Sequence, residues 1–236
     1  DVQTFSADNV AAIIIGDEFP DEYVVLTAHL DHVGIQNGEI YNGADDNGSG
    51  TVALLEIAEA FALAREQGYS PKRSVVFLHV TAEERGLLGS EYYADYDPLV
   101  PINNTIANLN MDMMGRADPN RGVKNLNYVY VIGSDILSDD LHKINLEANE
   151  NYAFLELDFR YNDINDPNQF YYRSDHYHFV KNNIPSIFYF SGVHEDYHKP
   201  TDTAEKILYE PYKRRVKLIF HTAWGLANSK EKIKLK

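Results

Sequence analysis

The sequence predicts an α/β sandwich, a single domain built on a largely parallel sheet. Two observations carry the prediction. Short apolar, β-rich runs alternate with longer segments of helical period along the chain. The 236 residues, 44% of them hydrophobic, are enough for one sizeable core, with nothing fibrous or disordered in the composition. The first strand expected is 10–15, an unbroken apolar run, and the second is 23–28, Tyr-Val-Val-Leu-Thr-Ala. A helix follows over 50–67, where Val52, Leu55, Ala58 and Phe61 recur at helical spacing, Glu56, Glu59 and Glu66 fall off that stripe, and Gly68 ends it. Strands are then expected at 74–80, 105–111 and 128–132, and an amphipathic helix at 139–150. The Asn- and Asp-rich stretch 158–175 reads as one long loop, of the kind that is often functional. A last strand, 186–190, precedes a capping box formed by Asp202 and Glu205 and a helix over 211–229 with the stripe Val216, Ile219, Ala223 and Leu226. No internal repeat or low-complexity stretch interrupts this order.

The charge balance narrows the partners. With 21 Lys plus Arg against 36 Asp plus Glu, the net charge of −15 repels nucleic acid and anionic membrane surfaces and favours cations. No apolar run approaches the roughly 20 residues of a membrane span, and no stretch has the form of a signal peptide. The chain begins at Asp1 and not at a methionine, which leads us to expect that a segment carrying a targeting signal has been removed and that the protein is extracytoplasmic or secreted. There is no cysteine, so any metal must rest on histidine and carboxylates.

Those residues fall where chemistry is expected. His29 and Asp31 follow the strand 23–28, Glu83 and Glu84 follow 74–80, Asp112 closes 105–111, and His198 lies in the loop after 186–190. In open α/β sheets ligands bind at that edge. The set holds only nitrogen and carboxylate donors and exceeds the three that one catalytic zinc takes, so it suits two metals better than one.

Six segments carry a family resemblance that covers nearly the whole chain: AHLDH at 28–32, NGADDNGSG at 42–50, TAEERGLLGS at 81–90, NLNMDM at 108–113, RSDH at 173–176 and YHKPTDT at 197–203. The sequence resembles the co-catalytic dizinc aminopeptidases, metallopeptidase family twenty-eight. The resemblance implies a zinc exopeptidase fold, with a mixed, mostly parallel sheet sandwiched between helices in one domain over residues 1–236. It also implies two zinc ions per chain and the amino termini of peptides or proteins as substrate, while the charge leads us to expect neither nucleic acid nor membrane as partner. Position by position, it implies that His29, Asp45 and Asp112 hold one zinc while Asp45, Glu84 and His198 hold the other, with Asp45 bridging. Glu83 is then the general acid/base, and Tyr197 supports the developing oxyanion, a role open also to Tyr171 or Tyr172. The resemblance further implies a cis peptide bond between Asp45 and Asp46. The residue types agree with such chemistry: two metals about 3.5–4 Å apart share and acidify a water, and a glutamate beside a ligand can move its proton. Asp31 is placed to accept the other imidazole N–H of His29.

Each assignment has a plainer rival. Asp45 and Asp46 read equally as turn and cap residues, a reading we keep for Asp46. Asp45, Asn47, Ser49 and Glu56 also satisfy an EF-hand-like spacing, but the preceding residues read as turns and not as an entering helix. Glu83 and Glu84 directly continue an apolar run, which is hard to explain without a cation. His194 competes with His198 for the ligand role. His79 is expected in the core, His142 and His221 are expected as solvated or packing residues, Asp175 and Asp202 as helix caps, and His32 and His178 carry no assignment. Carboxypeptidase-like enzymes, glutaminyl cyclases and metal-free receptor ectodomains are the rival functions.

Overall fold

A computed structural model describes residues 6–122, 125–163 and 165–236. Seven strands form one sheet: β1 (Val10–Ile14), β2 (Phe19–His29), β5 (Arg73–Val80), β6 (Thr105–Met111), β7 (Tyr128–Ile132), β8 (Glu156–Asp158) and β9 (Ser186–Phe190). Their spatial order is β1-β5-β2-β6-β9-β7-β8. The four central strands β5, β2, β6 and β9 run parallel, whereas β1 pairs antiparallel with β5 and β7 antiparallel with β9. The expected mixed, mostly parallel sheet is therefore observed. A separate hairpin, β3 (Gly34–Gln36) and β4 (Glu39–Tyr41), turns at Asn37 and Gly38, both at positive φ. This hairpin and β8 were not anticipated: each strand has three residues, too few for a periodic signal. Residue 164 of the expected 158–175 loop and residues 1–5 lie outside the described residues.

Helices α1 (Gly50–Glu66), α2 (Leu88–Glu91), α3 (Asp139–Ala148), α4 (His176–Lys181) and α5 (Tyr209–Asn228) complete the fold. One sheet face packs Val24, Leu26, Val75, Phe77, Leu109 and Val131 against α1, α3 and α5, and the other carries Val25, Val76 and Leu78 toward Phe179 and Tyr93. Both faces are covered, so all eight residues of β5 are buried, as a central parallel strand requires. The α5 stripe lies as expected, with Ile219, Ala223 and Leu226 fully buried. The α1 stripe does so only in its second half, where Phe61 is buried and Ala58 packs against the core. Val52 and Leu55 are exposed, and Ala53, Leu54, Ile57 and Phe61 face the core. This helix is apolar on two adjoining flanks, so spacing alone fits either; packing of Phe61 against Phe77, Phe220 and Trp224 chooses. Among the described residues, no helix is long and apolar enough to cross a membrane.

Register places the site. His29 at the end of β2 pairs with Val80 at the end of β5, and Thr27 pairs with Asn110 near the end of β6. The segments leaving these three strands, and the loop after β9, consequently open on one edge of the sheet.

Candidate metal centre

The ends of β2, β5 and β6, the turn before α1 and the loop after β9 bring together His29, His32, Asp46, Glu83, Glu84, Asp112 and His198. The carboxylate of Asp46 lies at the middle: Oδ1 is 3.4 Å from His29 Nε2, and Oδ2 is 3.0 Å from His198 Nε2. Asp112 Oδ1 is 3.5 Å from the same His29 nitrogen, and Glu84 Oε2 is 3.2 Å from the same His198 nitrogen. The two oxygens of one aspartate thus face two groups of donors. Buried polar atoms are normally hydrogen-bonded, yet His29 Nε2, Asp46 Oδ2, Glu84 Oε1 and Asp112 Oδ1 are buried without a hydrogen-bond partner. Nitrogen and oxygen donors that converge at 3.0–3.5 Å without satisfying one another suit a shared cation, and this donor set fits zinc.

The aspartate at the centre is not the expected one. Asp45 lies outside the cluster: its Oδ1 accepts the Gly115 N–H, and its Oδ2 is 3.1 Å from His194 Nε2. Asp46 takes the central position instead, and the cis peptide bond is Asp46–Asn47, not Asp45–Asp46. Two adjacent aspartates are equivalent in composition, and successive side chains leave this backbone in different directions, so only the fixed turn separates them. Asp202 fixes it, since its Oδ2 accepts the N–H groups of Asp45 (2.9 Å) and Asp46 (3.1 Å). Asp202 is therefore not the expected helix cap. His194, the competitor of His198, is occupied with Asp45.

The supporting contacts are specific. His29 Nδ1 donates to the backbone carbonyl of Asp31 at 3.0 Å, while the Asp31 carboxylate, 3.7 Å from that nitrogen, accepts the N–H groups of Glu83 and Glu84 at 3.1 and 3.4 Å. Asp31 hence orients His29 through its main chain and the Glu83–Glu84 turn through its side chain. Asp112 is held by a buried relay: Asn108 Nδ2 donates to Thr27 Oγ1, Thr27 to Asn110 Oδ1, Asn110 Nδ2 to Ser174 Oγ, and Ser174 to Asp112 Oδ2 at 2.7 Å. Neither Ser174 nor the asparagines were anticipated; the alternating NLN before Asp112 is the signal that could have found them. Ala82, Met113 and His198 adopt left-handed backbone with φ of 51–55°, beside or within the cluster, where such strain concentrates in functional sites.

Glu83 lines a cleft together with Asp46, Asp112 and His198. Phe170, Phe188, Phe190 and Val193 give the cleft an apolar part, and Arg173 and Tyr197 also line it. Tyr197 stacks on the His198 ring, with centroids 3.9 Å apart. Burial, with the nearby Asp112 charge, pushes the Glu83 carboxyl up to about 9. Burial would raise Asp46 as well, but the facing imidazoles of His198 and His29 hold it well below the usual carboxylate range. The Asp46 contact raises His198, and the Asp112 charge raises His29 against the effect of its burial. Asp175 stands at the start of α4 without making the expected cap bond; burial pushes its carboxyl up to about 7. His79 is buried with Nε2 at 3.1 Å from the Thr51 carbonyl, His142 contacts Ser134, and His221 stacks on Tyr152.

The profile of Peptidase family M28 matches residues 9–223. A probable leucine aminopeptidase 2 of Aspergillus oryzae is 35% identical over 190 residues, covering 78% of this chain and 34% of that protein. A probable glutamate carboxypeptidase, LAMP1, of Arabidopsis thaliana is 34% identical over 105 residues, 44% of this chain and 14% of that one. The chain therefore spans about a third or less of these relatives. The zinc aminopeptidase BSAP of Bacillus subtilis superposes with a TM-score of 0.71 at 25% identity, over 96% of this chain and 52% of that one. The fold is shared more widely: the gamma-secretase component nicastrin gives a TM-score of 0.72 at 18% identity, over 97% of this chain and 44% of that one. With an α/β sheet whose edge gathers zinc-type donors and a family match over most of its length, the chain belongs to peptidase family M28.

Proposed function

We propose that this chain is the catalytic unit of a dinuclear zinc aminopeptidase. One observation carries the reading: the two oxygens of Asp46 face separate donor groups, His29 with Asp112 and His198 with Glu84. Zinc held by His29, Asp46, Asp112, Glu84 and His198 would supply an acidified water and polarise the scissile carbonyl. The residues of the chain do the rest. Glu83, beside Glu84 and in the cleft, takes the proton of the attacking water and returns it to the leaving amine. The raised affinity of its carboxyl for protons suits that double duty once nearby dications offset its burial. Tyr197, also in the cleft, donates its hydroxyl to the developing oxyanion, and the carboxylates around the metals hold the substrate ammonium. The aromatic part of the cleft suits an apolar side chain at the first substrate residue.

A second reading is favoured by Arg173, whose guanidinium lines the same cleft 5.2 Å from the Phe170 ring centroid and could hold a substrate carboxylate, as a carboxypeptidase needs. The deciding experiment is a panel of aminoacyl, amino-blocked and carboxy-blocked chromogenic peptides, assayed with and without chelator beside elemental analysis. Cleavage that requires a free amino terminus, is abolished by chelation and accompanies two zinc ions per chain supports the aminopeptidase. Cleavage that instead requires a free carboxy terminus, or one zinc at saturation, overturns it.

A further inference from the structure

The four residues gathered around Asp46, namely His29, Asp112, His198 and Glu84, do not exhaust the cluster. His32 Nδ1 is 2.9 Å from Glu84 Oε1 and 3.8 Å from Asp46 Oδ2, and its side chain is only 10% exposed. The Glu84 contact is short but lacks hydrogen-bond geometry: both ring nitrogens of His32 and the facing Glu84 Oε1 are buried without a hydrogen-bond partner. His32, Asp46 and Glu84 each offer an atom within 4.8 Å of the others. Glu84 is thus bracketed by two imidazoles, His32 on Oε1 and His198 on Oε2. His198 is 39% exposed on its loop, whereas His32 sits between β2 and the β3–β4 hairpin.

Resting on the dinuclear reading above, we propose that His32 is a direct ligand of the second metal position. That position then has four protein donors, Asp46, Glu84, His198 and His32, against His29, Asp46 and Asp112 at the first. The asymmetry has a functional meaning. Zinc sites with four protein donors retain their ion, while sites with three leave a coordination place open for water or substrate. The His32 position is therefore the holding site, filled first, and the His29 position is the open one. An unpartnered buried imidazole nitrogen is costly, so a merely packing role for His32 leaves its Nδ1, which faces Glu84 and Asp46, unexplained.

The test uses the whole chain, stripped of metal and titrated with zinc against a chromophoric chelator and with cobalt(II) followed by its d–d absorption. In the wild type, two ions bind in two resolved steps. In His32→Ala the tighter step weakens by at least 10–100-fold, the range already seen when only outer contacts of a ligand are lost, and the first-equivalent cobalt spectrum changes. His32→Asn keeps a hydrogen-bond donor but should not restore either readout. A direct measurement on the wild type avoids dependence on a folded variant: with cadmium-113 at both positions, a His32 ring nitrogen should show scalar coupling to the metal. Unchanged affinity and spectrum in His32→Ala, full rescue by His32→Asn, or absent coupling with both positions filled overturns the ligand role while leaving the dinuclear reading intact. Fewer than two ions in the wild type overturns both.

Discussion

Glu83→Gln separates catalysis from electrostatics in one substitution. Glutamine fills the same space but neither takes a proton nor carries charge, so with metals bound the variant should keep its stoichiometry and lose roughly 10²–10⁴-fold in turnover. Its effect on the metal-free protein follows from burial. The native carboxyl is pushed up to about 9 by desolvation and by Asp112, whereas in the unfolded chain a glutamate titrates at about 4.3. Between these values the unfolded chain has lost the proton and the native protein holds it. The native state therefore binds more protons, and its stability falls as pH rises, by at most about 1.4 kcal/mol per pH unit, levelling off above about pH 9. Glutamine has no such proton. Urea denaturation of metal-free wild type and variant at pH 5, 6, 7, 8 and 9 should show the variant gaining on the wild type at each step, with equal m-values. The difference cancels the contributions of Asp46, His29 and the other cluster groups insofar as they are common to both proteins. Parallel stability curves from pH 5 to 9 would refute the buried, charge-opposed environment of Glu83, and near-wild-type turnover with both metals bound would refute its role as the base.

The corrected position of the central aspartate is testable in a pair: Asp46→Asn should abolish tight binding of both zinc ions, while Asp45→Asn should leave the stoichiometry at two, as read by elemental analysis after dialysis. Tyr197→Phe should lower kcat more than it raises KM, because a donor aimed at the oxyanion acts in the transition state; unchanged kinetics would exclude the role. Arg215 is fully buried and donates to the carbonyls of Tyr128, Met114, Arg116 and Leu126. Arg215→Met leaves these acceptors unmatched and should cost at least about 3 kcal/mol, seen as a lower urea midpoint with unchanged slope.

The fold class, the sequence position of strands β2, β5, β6, β7 and β9, and the set of strand ends that carry donors were legible in the sequence, because they depend on the local period of apolar residues and on where it stops. His29, Glu83, Glu84, Asp112 and His198 could be placed at the sheet edge for that reason. The tertiary structure alone decided which residues face each other across that edge. Asp45 and Asp46 differ in nothing but the turn they sit on, and that turn is set by Asp202, more than 150 residues further along the chain. The buried face of α1 was equally undetermined until Phe61 met Phe220 and Trp224 of α5. His32 had no signal of its own, since a histidine three residues beyond another resembles any polar residue after a strand. Its meaning arises only where the β2 and β5 ends bring it 2.9 Å from Glu84. Local pattern fixes which segments pack, since burial of a periodic face is a property of consecutive residues; the direction of a single polar side chain depends on contacts that chain folding alone brings together.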